Sequence, residues 1–559
     1  MSRVPARAAD PAPIEARHGM VVAAEPLAAA AGVAMLERGG NAIDAAVATG
    51  FALAVTYPVA GNLGGGGFLV AHLNLPDGAA TRVALDFRET APAAAHSKMY
   101  DEAVDAGRER PATVGHLAVA VPGSVRGLLD ALERWGTLDR ATVLAPAVEL
   151  AEQGFVVPRR TAQFLAQDSV SRDMLRYAET ARIFYPEGKP LSEGARLRQP
   201  ELAQTLRAIV EHGHAGFYDG PVAAAIVDEL QRGGGIVTRE DLRAYRSIER
   251  SPLRFTVRGH SVITMPLPSS GGTCLRQMLG ILERYPLSDL GHNSSASLHL
   301  IAEAMRRSFA DRNTALGDSA DPAVQKRISE LLSAAHIERL ASSIDPQSAT
   351  PSAKLLESMA HDDRESEQTT HYSVVDRHRN AVAVTTTLNG AFGSKVVVTG
   401  AGFLLNNEMD DFTAHPGRPN LYGLVQGQAN AVAPGRRPLS SMTPTIVLDP
   451  SGHLLYVLGS PGGPTIINNV LQVLLNLMVY GLQPQAAVNA PKIHHQCIPD
   501  RIDHEREFPA DVLDGLRRRG HALRLRDSIG DFQAICVDSE RGLLLGASDP
   551  RGGGAARGY

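Results

Sequence analysis

A chain of 559 residues with 44% apolar content carries enough hydrophobic material for a full core, and its length allows more than one domain. Sixty acidic against 55 basic residues leave a formal net charge of −5, so no large basic field exists to hold a nucleic-acid backbone. Only 5% of residues are aromatic, which argues against a base-stacking platform or an aromatic-lined carbohydrate groove. The three cysteines, Cys274, Cys497 and Cys536, are far apart and form no CxxC, so neither a disulfide framework nor a thiolate metal site is expected. They read as small buried hydrophobes.

Residues 1–17 lack periodicity and are expected to be disordered. They contain no apolar h-region, so no signal peptide is visible and the sequence alone reads as cytoplasmic. His18 to Ala24 reads as a short strand. Pro26 to Gly40 reads as a helix stopped by a double glycine, and Asn41 to Pro58 as a second, alanine-rich helix with Asn41 as N-cap. The apolar stretches Ala42 to Ala60 and Ile466 to Leu477 are short or glycine-bounded and read as core, not as membrane spans. Four glycines, Gly64 to Gly67, precede a strand. They lack the P-loop spacing and lysine, so tight backbone packing near an active centre is favoured over phosphate binding. Val83 to Pro92 is a strand ending in charge, where Arg88 suits either a substrate carboxylate or a salt bridge to Glu89 or another acid.

Residues 111–260 read mainly as helices, among them Ser124 to Gly136, Ala141 to Gly154 and Glu201 to Gly213. Phe255 to Pro268 reads as one strand-like segment. It leads through Ser269 and Ser270 into a helix N-terminus, with capping preferred over anion binding. Ser294 to Asn313 reads as an amphipathic helix. Ser343 to Gln368, rich in Ser, Asp, Pro and Glu, reads as an exposed linker. No internal repeat is visible.

A hairpin then follows: strand HYSVVD, turn RHRN, strand AVAVTTT. Thr369 sits just ahead of it. If the Gln368–Thr369 bond were cut, Thr369 would carry a hydroxyl beside a free α-amine whose ordinary pKa lies near 8. Such an amine can act as general base for its own side chain. The plainer reading is a Thr-rich hairpin in an ordinary sheet, and that of Thr387 a sheet-filling threonine. His371 beside the nucleophile reads as structural. The later motif NNEMDDF lacks a calcium-loop pattern and suits a substrate ammonium instead. His415 to Gly427, with Tyr422, has loop composition and is a candidate lid. Ser440 and Ser441 precede a strand. Gly462 and Gly463 precede a helix, either as oxyanion-hole donors or as a plain turn.

Taken together and in order, GGNAIDAAVA, GNLGGGGFLV, LDFRETAP, TTHYSVVD, TLN, LLNNEMDDF, PNLYGL, RPLSSMTPTIV and GSPGG resemble the γ-glutamyltransferases (γ-glutamyltranspeptidases) of the N-terminal-nucleophile hydrolase superfamily. The resemblance spans roughly residues 18–553. It implies an α+β, stacked αββα sandwich made as one precursor and cut between Gln368 and Thr369. The products would be a large subunit, residues 18–368 behind the extension, and a small subunit, 369–559, in one intertwined domain. It implies Thr369 as nucleophile, Thr387 as its hydroxyl partner, and Gly462 and Gly463 as oxyanion donors. Arg88, Ser440 and Ser441 would hold the donor α-carboxylate. Asn389, Glu408 and Asp411 would hold its α-ammonium, under a lid carrying Tyr422. The implied partners are a small γ-glutamyl donor and an amino acid or peptide acceptor, with no metal or organic cofactor. Many bacterial relatives are periplasmic, so the resemblance implies a periplasmic or secreted location. The rival expectations are a cephalosporin or glutaryl acylase of the same fold, or a non-catalytic binding protein.

Overall fold

The computed structural model describes residues 12–74, 80–318, 322–356, 369–414 and 419–559. Its centre is the hairpin Thr370–Val375 and Ala381–Thr387. These strands lie inside a seven-stranded sheet running Ala555–Gly558, Met20–Ala23, Thr370–Val375, Ala381–Thr387, Gly66–Asn74, Ala80–Phe87, Ile248–Arg250. A second seven-stranded sheet runs Ile14–Ala16, Leu543–Ser548, Gln533–Asp538, Leu454–Gly459, Thr445–Leu448, His260–Thr264, Leu253–Val257. All neighbouring strands in both sheets are antiparallel.

Strand parity builds the layers. Tyr372, Val374, Val382 and Val384 join the core of helices Pro26–Glu37, Ala42–Thr56 and Ser124–Trp135. Val375, Ala381 and Ala383 face the other way and meet Ile446, Val457 and Ile535 of the second sheet. That sheet packs Val447, Leu458, Ala534 and Leu545 against Gly271–Leu282, Ser295–Ala315 and Thr465–Met478. The result is the expected αββα sandwich. Both sheets mix strands from before and after Thr369, so a break at that residue leaves two interleaved chains.

Local chemistry fixes the hairpin. Asp376 Oδ1 accepts the N–H groups of His378 at 2.8 Å and Asn380 at 3.0 Å, closing the turn. Its Oδ2 accepts the N–H of Ala42 at 3.0 Å, tying the turn to the first residue of a buried helix. Asn41 caps that helix as expected, in a capping box with Asp44. The glycine run serves close packing. Gly66 and Gly67 pair with Thr387 and Thr386, and a Cβ on Gly65 would lie 2.0 Å from the Thr387 carbonyl oxygen. Asn62 Nδ2 donates to that same oxygen at 2.9 Å.

Three expectations need correction. Phe255 to Pro268 is not one strand. Arg258 (φ 48°) and Gly259 (φ 81°) turn the chain, giving the hairpin Leu253–Val257 and His260–Thr264; two consecutive positive φ values match the twist of paired strands. Ile14–Ala16, inside the segment expected to be disordered, pairs with Leu543–Ser548 and buries Ala16 between the sheets; residues 1–11 lie outside the described residues. The early part of the presumed linker is tied down: Arg307 Nη2 donates to the Ser343 carbonyl at 2.8 Å, and the Ser352 N–H to Asp500 Oδ2 at 2.7 Å. Residues 357–368, including Gln368, lie outside the described residues. Among those described, no helix is long and apolar enough to cross a membrane.

Gly65→Ala puts a methyl group against a backbone carbonyl that cannot retreat without moving Thr387. The expected loss is at least the ~1–3 kcal/mol typical of overpacking, read as a lower thermal midpoint; an unchanged midpoint would contradict this packing account.

Candidate active site

The hairpin register places Thr370 opposite Thr386, which brings Thr369 beside Thr387. The Thr369 hydroxyl donates to Thr387 Oγ1 at 3.5 Å, and Thr387 Oγ1 also accepts the Asn389 N–H at 2.8 Å. His371 sits two residues on. Its ring nitrogens meet Thr385 Oγ1 at 2.8 Å and Ser373 Oγ at 3.1 Å. Burial drives its pKa down to about 3, so it is a neutral sheet-filling group, as expected.

A small cavity opens beside Thr369. Thr387, Asn389, Arg88, Glu408, Asp411, Tyr422, Ser440, Ser441 and Gly463 all line it. Of the predicted residues that are described, only Gly462 stands just behind the wall. Arg88 is fully buried and donates to both Glu408 and Asp411, while Glu89 Oε2 lies 3.6 Å from its Nη1. The two readings of Arg88, substrate clamp and salt-bridge partner, therefore describe one cluster. Arg88 Nε donates to the Pro438 carbonyl at 3.3 Å. A guanidinium has five N–H groups, so two remain for a carboxylate. Its backbone is fixed too: the Arg88 carbonyl accepts from Tyr245 Oη at 2.8 Å and Arg437 Nη1 at 2.7 Å.

Two buried acceptors in the cavity wall, Glu408 Oε2 and Asn389 Oδ1, have no donor among the described residues. Buried acceptors are costly unless a donor reaches them, and a ligand ammonium supplies three. The other amides of NNEMDDF are committed to the fold. Asn406 bonds the Ala120 and Gly64 backbone, and Asn407 the Gly390 N–H and the Thr113 carbonyl.

Tyr422 covers the cavity. Its Oη donates to the Asn389 carbonyl at 2.7 Å, and its ring lies against Gly463, where a Cβ would meet ring carbon Cδ1 at 2.5 Å. Residues 415–418 of the candidate lid lie outside the described residues. Gly462 (φ 124°) and Gly463 (φ 56°) have left-handed backbone open to glycine. Neither of their N–H groups has an acceptor among the described residues. Helix Thr465–Met478 begins two residues later and adds the positive end of its dipole. Of the two serines ahead of helix Gly271–Leu282, Ser269 Oγ accepts the Gly271 N–H at 3.2 Å, in line with the expected capping, while Ser270 Oγ donates to the Ser440 carbonyl at 2.6 Å.

Sequence reasoning missed Arg312, Arg437 and Tyr245. Arg312 lines the cavity and donates to Ser441 Oγ at 3.2 Å. The only local signal for Arg437 was its place in RRPLSS. Arg312 and Tyr245 had none, since their partners lie far along the chain.

Asp410, behind the cavity, accepts the Leu421 N–H at 2.9 Å and so anchors the start of the Tyr422 segment. Burial raises its pKa from 3.8 to about 7. The native state thus holds this proton more tightly than the unfolded chain does. The resulting stabilisation is complete below about pH 4 and is lost as pH climbs through about 7. Asp410→Asn removes that dependence, so its thermal midpoint should gain on that of the unsubstituted protein between pH 5.5 and 8. A constant difference across that range would contradict the burial account.

The family model described as Gamma-glutamyltranspeptidase matches residues 28–559. The chain is 44% identical over 539 residues to the glutathione hydrolase proenzyme of Escherichia coli (strain K12), covering 96% of this chain and 91% of that one. It is 38% identical over 545 residues to the acylase ACY 1 proenzyme of Pseudomonas sp. (strain SE83), covering 96% and 92%. Among solved structures, the cephalosporin acylase from Bacillus halodurans aligns with a TM-score of 0.84 at 27% identity, over 100% of this chain and 99% of that one. With the matched region running through both sheets and every described residue of the site, the chain belongs to the γ-glutamyltranspeptidase family.

Proposed function

We propose that this protein is a self-processing γ-glutamyltransferase with glutathione hydrolase activity. One observation carries the reading. A single cavity holds a threonine hydroxyl at the start of a central strand, a buried guanidinium, and two buried acceptors lacking donors. A γ-glutamyl group is a zwitterion at one end and an acyl donor at the other, and it answers each of these groups.

The chemistry follows from the chain's own atoms. In the precursor, Thr369 Oγ attacks the carbonyl of Gln368; the N–O shift breaks the peptide C–N bond and frees the Thr369 α-amine, and water then hydrolyses the resulting ester, releasing the Gln368 carboxylate and restoring the Thr369 hydroxyl. In turnover the α-amine takes the hydroxyl proton as Oγ adds to the donor's γ-carbonyl. Thr387 Oγ1 orients the attacking oxygen. The Gly462 and Gly463 N–H groups meet the developing oxyanion, each contributing on the order of 3 kcal/mol if it behaves as other oxyanion donors do. The ammonium then passes its proton to the leaving amine. Water, or the amine of an amino acid or peptide, attacks the acyl-enzyme in the reverse sequence. Arg88 with Ser440 and Ser441 receives the α-carboxylate, and Glu408, Asp411 and Asn389 receive the α-ammonium. Holding that end tightly serves rate as well as affinity, since an ångström of misplacement can cost about 10²-fold.

An acylase reading has support from the ACY 1 relative and the cephalosporin acylase structure. A glutaryl group lacks the amine, however, and would leave Glu408 Oε2 and Asn389 Oδ1 without a donor. Thr369→Ala is expected to give an intact, inactive 59.4 kDa chain on a denaturing gel; cleavage that persists would refute the proposed self-processing. The processed enzyme should prefer γ-glutamyl-anilide over glutaryl-anilide by at least ~10²-fold in kcat/KM, because a site built for a hydrogen-bonding group rejects the analogue lacking it. Equal rates, or a preference for glutaryl, would assign the chain to the acylases.

A further inference from the structure

Arg88, Arg306, Arg307 and Arg312 are all among the largest fully buried side chains of the molecule. Arg88 faces Glu408 and Asp411, Arg306 faces Glu303 and Asp500, and Arg307 faces Glu303. Arg312 alone of the four has no carboxylate within ion-pair distance among the described residues. Its Nε donates to Ser270 Oγ at 3.0 Å, Nη1 to Asn313 Oδ1 at 3.2 Å and Gln426 Oε1 at 3.4 Å, and Nη2 to Ser441 Oγ at 3.2 Å. Every one of these acceptors is neutral. A buried cation is costly unless an anion accompanies it, and this one forms part of the wall of the donor cavity.

The direction of the Ser441 hydroxyl follows. Its oxygen is occupied by the Arg312 N–H, so its own proton must be given elsewhere, and no acceptor for it exists among the described residues. Ser270 shows the alternative: it accepts from Arg312 and passes its proton on to the Ser440 carbonyl. A carboxylate entering beside Ser441 would take that remaining proton and supply the negative charge Arg312 lacks. We infer that Arg312 is a positioning residue for the donor's α-carboxylate, acting through Ser441. This rests on the γ-glutamyl reading and extends it: the carboxylate is held between two cations, Arg88 already paired with acids and Arg312 with no carboxylate at ion-pair distance among the described residues.

The test compares γ-glutamyl-anilide with 4-aminobutyryl-anilide, the same donor without its α-carboxylate. Arg312→Gln should lower the kcat/KM preference for the carboxylate-bearing donor at least about tenfold, mainly by raising its KM, which corresponds to ~1.4 kcal/mol. The rate on the carboxylate-free donor should change much less. Arg312→Lys, which keeps the charge but not the fork, should fall between. The double variant Arg312→Gln/Ser441→Ala should lose no more preference than Ser441→Ala alone, because the two residues act as one path. If Arg312→Gln does not mature, Arg312→Lys carries the comparison. Equal losses on both donors, or fully multiplicative losses in the double variant, would overturn the assignment. An unsubstituted enzyme indifferent to the α-carboxylate would sink the donor reading itself, whatever the variants do.

Discussion

The pairing of Thr370 with Thr386 fixes where the reacting hydroxyl lies. Side chains alternate across a strand, so a slip of one residue would send Thr369 and Thr387 to opposite faces. Much of the surrounding structure holds that register. Asp376 closes the turn and grips the helix beginning at Ala42. Asn62 and the glycines after it press against the far end, at the Thr387 carbonyl. Strands from before and after the cleavage point flank the hairpin, so the frame does not depend on the bond that is broken.

Charge is the second constraint. Arg88, Glu408 and Glu89 are buried together with the partly exposed Asp411, and burial lifts the pKa of both Glu89 and Glu408 despite the neighbouring guanidinium. Such a cluster contributes little to stability and can lower it. What it supplies is a polar surface already oriented before a substrate arrives. Arg88 retains two N–H groups, and Glu408 and Asn389 each retain an acceptor oxygen. The carboxylate and ammonium of a zwitterion can meet these groups at once.

Much of this was legible in the sequence because the chemistry sits in short, ordered motifs. Thr369, Thr387 and Asn389 fall within one hairpin, Glu408 and Asp411 within one loop, and Asn41 caps its helix by a local rule. What escaped notice depends on distant partners. Arg312 reaches Ser441 across 129 residues of chain. Its helix reads only as amphipathic, yet Arg306, Arg307 and Arg312 are all buried there. Charge pattern alone cannot distinguish a solvated arginine from one lining a cavity. The turn at Arg258 was missed for a different reason: Gly259 is a local turn signal, but the positive φ at the arginine before it has no compositional signature.

The account stands on Thr369 exchanging an amide nitrogen for a free amine. Intact-mass analysis and N-terminal sequencing of the purified, active enzyme test this most directly. The account predicts two chains, the smaller beginning Thr-Thr-His-Tyr and covering residues 369–559. An active enzyme that proved to be one unbroken polypeptide, or a smaller chain beginning at any other residue, would contradict it.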